Sequence, residues 1–270
     1  MIDYDVDRLI DTDTVKLFKD GDMTDVDASV VNECHFAIFL NDSYYADNRR
    51  KKAFVDAMNG KCLIFTDTVP QYLKELAIGY CYCNADFEPE SISEVMMAEA
   101  DEESVVAIVF VDNLLVQSKK QPVDHHLAYD TNTNRNIAVS GQKLVDEMKS
   151  FINRLQINRT THSVEAAEIF DGQDAVRHIE DLDNTNAIYK AVGYALTFGI
   201  DLSCCAMLTT GKVLKENVRA CYLAGCHMLI SQSAPTRQAI EYAMEKDVTL
   251  IGFAKGDSCT VYCGHERIML

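Results

Sequence analysis

Positive charge is scarce in this sequence: 25 Lys and Arg stand against 42 Asp and Glu, giving a formal net charge of -17 and a pI near 4.7. Proteins that hold nucleic acid or anionic lipid gain affinity when clustered cations displace counterions, and a surface of this sign repels such partners. No nucleic-acid or membrane partner is therefore expected. Long apolar runs are missing too. No stretch approaches the roughly eighteen consecutive apolar residues of a membrane-spanning helix, and the opening MIDYDVDRLI carries three Asp where a secretory leader is basic. A soluble, cytoplasmic chain is the expectation. Repeats and low-complexity tracts are absent. The ten Cys lack the spacing of a disulfide-stapled small domain, and Cys204-Cys205 sit inside a strand-like run. Reduced thiols, most of them small buried hydrophobes, are predicted.

With 48% hydrophobic residues, the 270-residue chain can bury one large core or two modest ones. Up to about Gln117 the pattern is mixed. VNECHFAIFL (31–40) and CLIFTD (62–67) read as strands, a helix opens at Asp67-Thr68-Val69-Pro70 and runs through QYLKELAIGYCYC, and SVVAIVFVDNLLVQ (104–117) is a further strand. The polar SKKQPVDHHLAYDTNTNRN (118–136) reads as a connection. This divides the chain into a β-rich N-terminal domain with one helix (1–120), a linker (121–140) and a C-terminal α/β/α domain (141–270). After a helix at about 141–157, Asp171-Gly172 between alternating flanks is a two-residue hairpin turn. From Asn184 onward, helices (184–198, 213–224, 235–246) alternate with short apolar strands (204–209, 227–231, 248–254). That order predicts βαβ units and a mostly parallel sheet covered on both faces.

Ligands of such sheets gather beyond the carboxyl ends of the strands, where helix N-termini offer N–H groups. Two corners qualify: Thr209-Thr210-Gly211-Lys212, where Gly211 permits close backbone approach, and Ser231-Gln232-Ser233-Ala234-Pro235-Thr236. Ordinary helix capping would use the same residues. A third element is the turn Lys255-Gly256-Asp257 after the last apolar strand. It either brings a cation and free N–H groups to the same edge, forming a phosphate-receptive concavity, or is a hairpin turn with a solvated Lys. Other constellations are weaker. His178-Ile179-Glu180 spells half of a zinc deaminase pattern, but no P-C-x-x-C follows. Cys81-Tyr82-Cys83 is too closely spaced for a zinc knuckle, and His125-His126 lie in the polar connection. No metal site is predicted.

The stretch TTGKVLKENVRACYLAGCHMLISQSAPTRQAIEYAMEKDVTLIGFAKGDSCTVYCGHERI resembles the FdhD/NarQ family. That family's pattern is S-G-R-hydrophobe, A-G-strand, S-x-S-A-P-T, T-L-x-G-F-x-[RK]-G and a terminal V-Y-x-x-x-x-R-I. Upstream, EDLDNTNAIYKAVG matches more loosely, and FTDTVPQYLKELAIGYCYC resembles the family's T-P-x-x-L-x-E-L-A-x-G-F helix. The resemblance implies an N-terminal β-rich domain and a C-terminal three-layer α/β/α domain similar to the cytidine deaminase fold, assembled as a homodimer. It implies accessory work for formate dehydrogenase: sulfur arrives as a persulfide from a cysteine desulfurase and passes to the molybdenum bis-guanine-dinucleotide cofactor. The family's guanine-dinucleotide contact segment maps onto Phe253, Ala254, Lys255, Gly256, Asp257 and Ser258. With Thr210, Gly211, Ser231 and Ser233 from the two corners, these are the expected binding residues for that cofactor or a GDP-like nucleotide.

Three family motifs are altered. The persulfide loop C-G-x-C-G has no counterpart, because no Cys occurs between Cys83 and Cys204. Neither Ser140 nor the linker histidines can replace a thiolate in a sulfur relay. The family's E-D-V-G-R-H-N-A-V-D-K reads Glu180-Asp181-Leu182-Asp183-Asn184-Thr185-Asn186-Ala187-Ile188-Tyr189-Lys190, and T-G-G-x-H-A-A-A is degraded at Thr160–Ala167. The sequence thus predicts an FdhD-like accessory protein that binds the cofactor without the persulfide step and has no assigned catalytic residue. The alternatives are sulfur transfer through Cys81, Cys83 or Cys205, and a non-catalytic nucleotide-binding regulator.

Overall fold

The computed structural model describes residues 9–42, 61–84, 91–101, 103–111 and 137–269. It starts with a hairpin, β1 (Ile10–Lys19) and β2 (Asp22–Val31), in register from Ile10↔Val31 to Lys19↔Asp22. Asp20 and Gly21 make its turn with φ of 55° and 93°, the left-handed pair that suits twisted strands. Next come β3 (Cys34–Asp42), β4 (Lys61–Thr68), helix α1 (Leu73–Asn84), β5 (Ile92–Glu99) and β6 (Ser104–Val111). The four strands form a sheet ordered β4-β3-β6-β5 around a parallel β3–β6 pair. Both faces of β6 are buried, so SVVAIVFV shows no polar alternation. Residues 112–117 of the predicted strand and the predicted linker through 136, with His125 and His126, lie outside the described residues.

The C-terminal half runs β7 (Val139–Ser140), α2 (Gly141–Arg154), α3 (Gln156–Thr161), β8 (Glu165–Phe170), β9 (Ala175–Asp181), α4 (Asn184–Phe198), β10 (Ala206–Thr209), α5 (Lys215–Leu223), β11 (Met228–Ser231), α6 (Arg237–Glu245), β12 (Thr249–Lys255), β13 (Ser258–Cys263) and β14 (Ile268–Met269). The predicted 141–157 helix breaks at Leu155, whose ψ of 116° is extended. Three other starts also move. Asp201 caps a short 3-10 turn, Leu202–Cys204, ahead of β10; Val213 bridges Pro235 instead of joining α5; Thr236, not Pro235, opens α6 by accepting Ala239 N–H.

The large sheet is ordered β13-β12-β11-β10-β8-β9. It is mixed, not mostly parallel: β10–β11 and β11–β12 are parallel, while β8 and β13 run against their neighbours. The reason is connection length, since β8–β9 and β12–β13 are joined by turns too short for a crossover. Alternate residues separate the two faces. Ala167, Ile169, Met207, Leu229 and Leu250 pack with α4, α5 and α6, while Ala166, Phe170, Leu208, Ile230 and Ile251 pack under α2. The C-terminal half is accordingly a three-layer α/β/α unit inside an α+β chain.

One core continues into the N-terminal sheet. Phe36, Ile38, Val105, Ala107 and Val109 meet Leu73, Leu76 and Ala77 of α1, which crosses α4 at Gly79 and Gly193. A Cβ on Gly79 would overlap the Tyr189 carbonyl, and one on Gly193 the Glu75 carbonyl.

Candidate site at the carboxyl rim of the large sheet

Parallel β10, β11 and β12 bring Thr209, Ser231 and the Phe253–Lys255 segment to one edge. Hydrogen bonds weld the loops there. Ser231 Oγ donates to Gly211 O (2.7 Å) and accepts Ser233 N–H (2.9 Å); Ser233 Oγ donates to Thr210 O (2.8 Å); Gln232 N–H donates to Thr209 O (2.9 Å). Thr210 Oγ1 donates to Glu165 and accepts Ala166 N–H (2.9 Å). Phe253 N–H then donates to Ser233 O (3.1 Å), tying β12 to the same cluster.

Thr210, Gly211, Ser231 and Ser233 thus lie together at the rim, and the hydroxyls of Thr210, Ser231 and Ser233 are spent on the chain itself. They set the shape of the rim. Gly211 has a corresponding correction. A Cβ there would strike the Asn184 side chain, so the close approach it permits is to Asn184 and not to a bound group. Asn184 holds the loop from below, donating to Lys212 O (3.1 Å) and touching the Thr209 hydroxyl.

The outward-facing groups come from the β12–β13 turn. Lys255 pairs with Ser258 across Gly256-Asp257, so this is a hairpin. Phe253, Lys255, Gly256, Asp257 and Ser258 are exposed, while Ala254 is buried under α2. Nothing lies within 4 Å of where a Gly256 side chain would begin. Phe253 has a left-handed φ of 51° and a ring 45% exposed, a costly backbone state for a bulky residue. Asp257 is drawn to Lys149 of α2 at 2.6 Å, which lowers the Asp257 carboxyl and leaves Lys255 facing solvent. Open space, an aromatic face and a cation therefore meet at this turn, while the inner hydroxyls are bonded within the chain.

A concavity of ≈ 680 Å³ lies at the end of the N-terminal sheet. Glu33, Glu99, Asp101 and Glu103 line it beside His35, whose ring pairs with Asp67 at 2.6 Å and is raised by that bond. Four carboxylates there repel phosphate.

The remaining motif residues have other tasks. Glu180 accepts the N–H groups of Gln156, Ile157 and Asn158 (2.8, 3.1 and 2.6 Å), while His178 lies across from Glu168. Asn186 donates to Thr66 Oγ1 and Asp67 O (both 3.2 Å). Cys81, Cys83 and Cys205 are buried, each thiol pushed up to about 12 by burial, so none is a thiolate near neutral pH. The exposed thiols among the described residues are Cys62 and Cys204. Sequence reasoning missed the roles of Asn184, Glu165 and Lys149. Their partners Gly211, Thr210 and Asp257 lie far along the chain, beyond any local pattern.

Comparison with known proteins follows the same outline. A sulfur carrier protein FdhD from Listeria monocytogenes is 24% identical over 270 residues, covering 94% of this chain and 97% of the relative. Its namesake from Thermoplasma volcanium is 38% identical over 117 residues, covering 43% of this chain and 42% of the relative. A crystal structure described as a formate dehydrogenase accessory protein, from Desulfotalea psychrophila, superposes with a TM-score of 0.73 at 17% identity, covering 97% of this chain and all of the other. The family model for FdhD/NarQ matches residues 55–269, and the chain belongs to the FdhD/NarQ family.

Proposed function

We propose that this chain is an accessory protein for formate dehydrogenase maturation whose carboxyl rim holds the guanine nucleotide end of a molybdenum bis-guanine-dinucleotide cofactor. Family membership supports the first part. The second rests on one observation: Phe253, exposed and held left-handed by its bond to Ser233, stands beside exposed Lys255 and open Gly256. In this reading the Phe253 ring stacks on the base and Lys255 meets phosphate, while Thr210, Gly211, Ser231 and Ser233 fix the loops. The cofactor supplies the molybdenum chemistry; the protein contributes binding and orientation.

The persulfide step is assigned elsewhere, to a partner protein, because the sequence lacks the family's loop cysteines and the three candidate replacements are buried and protonated. The proposed partners are formate dehydrogenase, a cysteine desulfurase and a second copy of the chain. Calorimetric titration with GDP tests the nucleotide reading. Saturable binding that Lys255→Ala weakens by about 1.5–3 kcal/mol supports it; absence of binding to folded protein refutes it.

A further inference from the structure

The end of α5 holds two thiols that nucleotide binding does not use. This helix stops in a Schellman motif. Gly225 turns left-handed at φ 82°, its N–H donates to Tyr222 O at 3.0 Å, and Cys226 N–H donates to Cys221 O at 2.8 Å. Such a closure presses the side chains at the two ends of the turn together, a contact ordinarily made by hydrophobes. Here both are cysteine. Each is fully buried, and the Cys226 thiol donates to Cys205 O (3.4 Å) and Met228 O (3.3 Å), beside the turn that Cys221 opens. The backbone bond between them keeps their Cα atoms within disulfide reach. Two small apolar side chains would plug the turn equally well; thiols add a bond that can be made and broken.

We propose that Cys221 and Cys226 are an oxidisable dithiol, a modification site that locks the C-terminus of α5 with a disulfide when the protein meets a peroxide. The Cys226 sulfur attacks one peroxide oxygen: the S–O bond forms, the O–O bond breaks, and the leaving hydroxide takes the thiol proton as water. The Cys221 sulfur then attacks the sulfenic sulfur: the S–S bond forms, the S–O bond breaks, and hydroxide leaves with the Cys221 proton as a second water. The two sulfurs together lose two electrons and the peroxide gains them. The order follows from the mutual interaction of the two thiols, which lowers that of Cys226 and raises that of Cys221. Burial sets the rate. Peroxide reaches the pair only when the helix end opens, so oxidation there trails that at exposed Cys62 and Cys204.

Trypsin leaves both cysteines in one peptide, Ala220 to Arg237. Full-length Cys62→Ser/Cys204→Ser protein is treated with hydrogen peroxide, then denatured, alkylated, digested and weighed. The expected peptide is two hydrogens lighter than the reduced form and unalkylated, with both alkylation sites restored by dithiothreitol. Cys221→Ala should abolish this product and carry Cys226 on to sulfinic acid. Two alkyl groups on the peptide, after exposure carried well past the complete oxidation of Cys204 in the unmodified sequence and with the helix end opening sampled in mild denaturant, would overturn the proposal. So would a bridge from Cys226 to Cys205. Mapping the protein with Cys221 intact decides the case even where Cys221→Ala fails to fold.

Discussion

The Lys190 ammonium and the Asp181 carboxylate lie 2.5 Å apart with neither side chain exposed at all. Their other bonds reach the N-terminal half: Thr68 Oγ1 donates to Asp181 at 2.5 Å, and Lys190 donates to Val69 O at 2.9 Å. The pair thus ties β9 and α4 to the end of β4. Attraction inside such a pair does little more than offset the desolvation of two charges, but losing one partner strands the other. Asp181→Asn or Lys190→Met should each lower unfolding stability by about 3–5 kcal/mol. The double variant should lose much less than the sum of the two single losses. Urea unfolding followed by circular dichroism measures this, and strictly additive losses would show that the two charges are not coupled.

The α1–α4 crossing makes a second prediction, about backbone contact. Gly193 has no room for a methyl because the Glu75 carbonyl occupies that space, whereas a Cβ on Gly141 would meet only the Ile268 methyl at an ordinary 3.5 Å. Gly193→Ala should therefore cost roughly 3 kcal/mol or more by forcing the helices apart. Gly141→Ala, in the first turn of α2, should be neutral or slightly stabilising. Thermal unfolding of the two variants side by side tests the contrast, and an unchanged Tm for Gly193→Ala would mean that α1 and α4 can separate freely.

Local rules explain what the sequence revealed. Apolar runs alternating with capped helices placed α4 at its observed ends and put β10, β11 and β12 in their order. Strand direction at β8 and β13 was less legible, because it depends on how a short turn closes. Asp171 illustrates this: its carboxylate accepts the N–H groups of Gln173 and Asp174 (2.7 and 2.8 Å), stretching the expected two-residue turn to four. Asp20-Gly21 is itself a two-residue hairpin signature, yet the Asp residues crowding β1 and β2 give those strands little apolar alternation to mark them. The rim was legible only as types of residue. Hydroxyls near a strand end announce a corner, but whether they face a ligand or each other depends on Asn184 and Glu165, which the fold alone brings beneath them.

Glu168 provides a pH test. Its carboxylate is sealed under α2, where Arg154 donates to both oxygens (2.8 Å to Oε1, 2.7 Å to Oε2) and Glu147 shares the same guanidinium. Burial pushes it up from 4.5 to about 7, with Arg154 pulling the other way. The folded chain thus keeps a proton that the unfolded chain releases. The stability this group contributes is complete below about 4.5, falls as pH rises through 7, and stays lost above. His178, directly across on β9, is lowered by burial and by Arg154 and Arg177, so it acts in the opposite sense, destabilising the fold as it charges in acid. Comparing Glu168→Gln with the unmodified protein cancels the His178 contribution. The Tm difference, variant minus parent, should grow as pH rises from 4.5 to about 7 and level off above it. A difference independent of pH would mean that Glu168 is ionised throughout.

Phe253 separates fold from function. Its left-handed backbone costs about 1–2 kcal/mol in any residue bearing a Cβ, a strain that the half-buried ring offsets only in part, since 45% of it is exposed. Glycine removes the strain and the ring together. Phe253→Gly should therefore leave Tm unchanged or raise it slightly, while GDP binding weakens by roughly 1–3 kcal/mol, the usual worth of an aromatic platform under a base. A residue kept only for packing would give the reverse, lower Tm with binding intact. Strain without a structural return is what a binding platform leaves in a fold, so the direction in which these two measurements move decides whether the rim is a site or merely a turn.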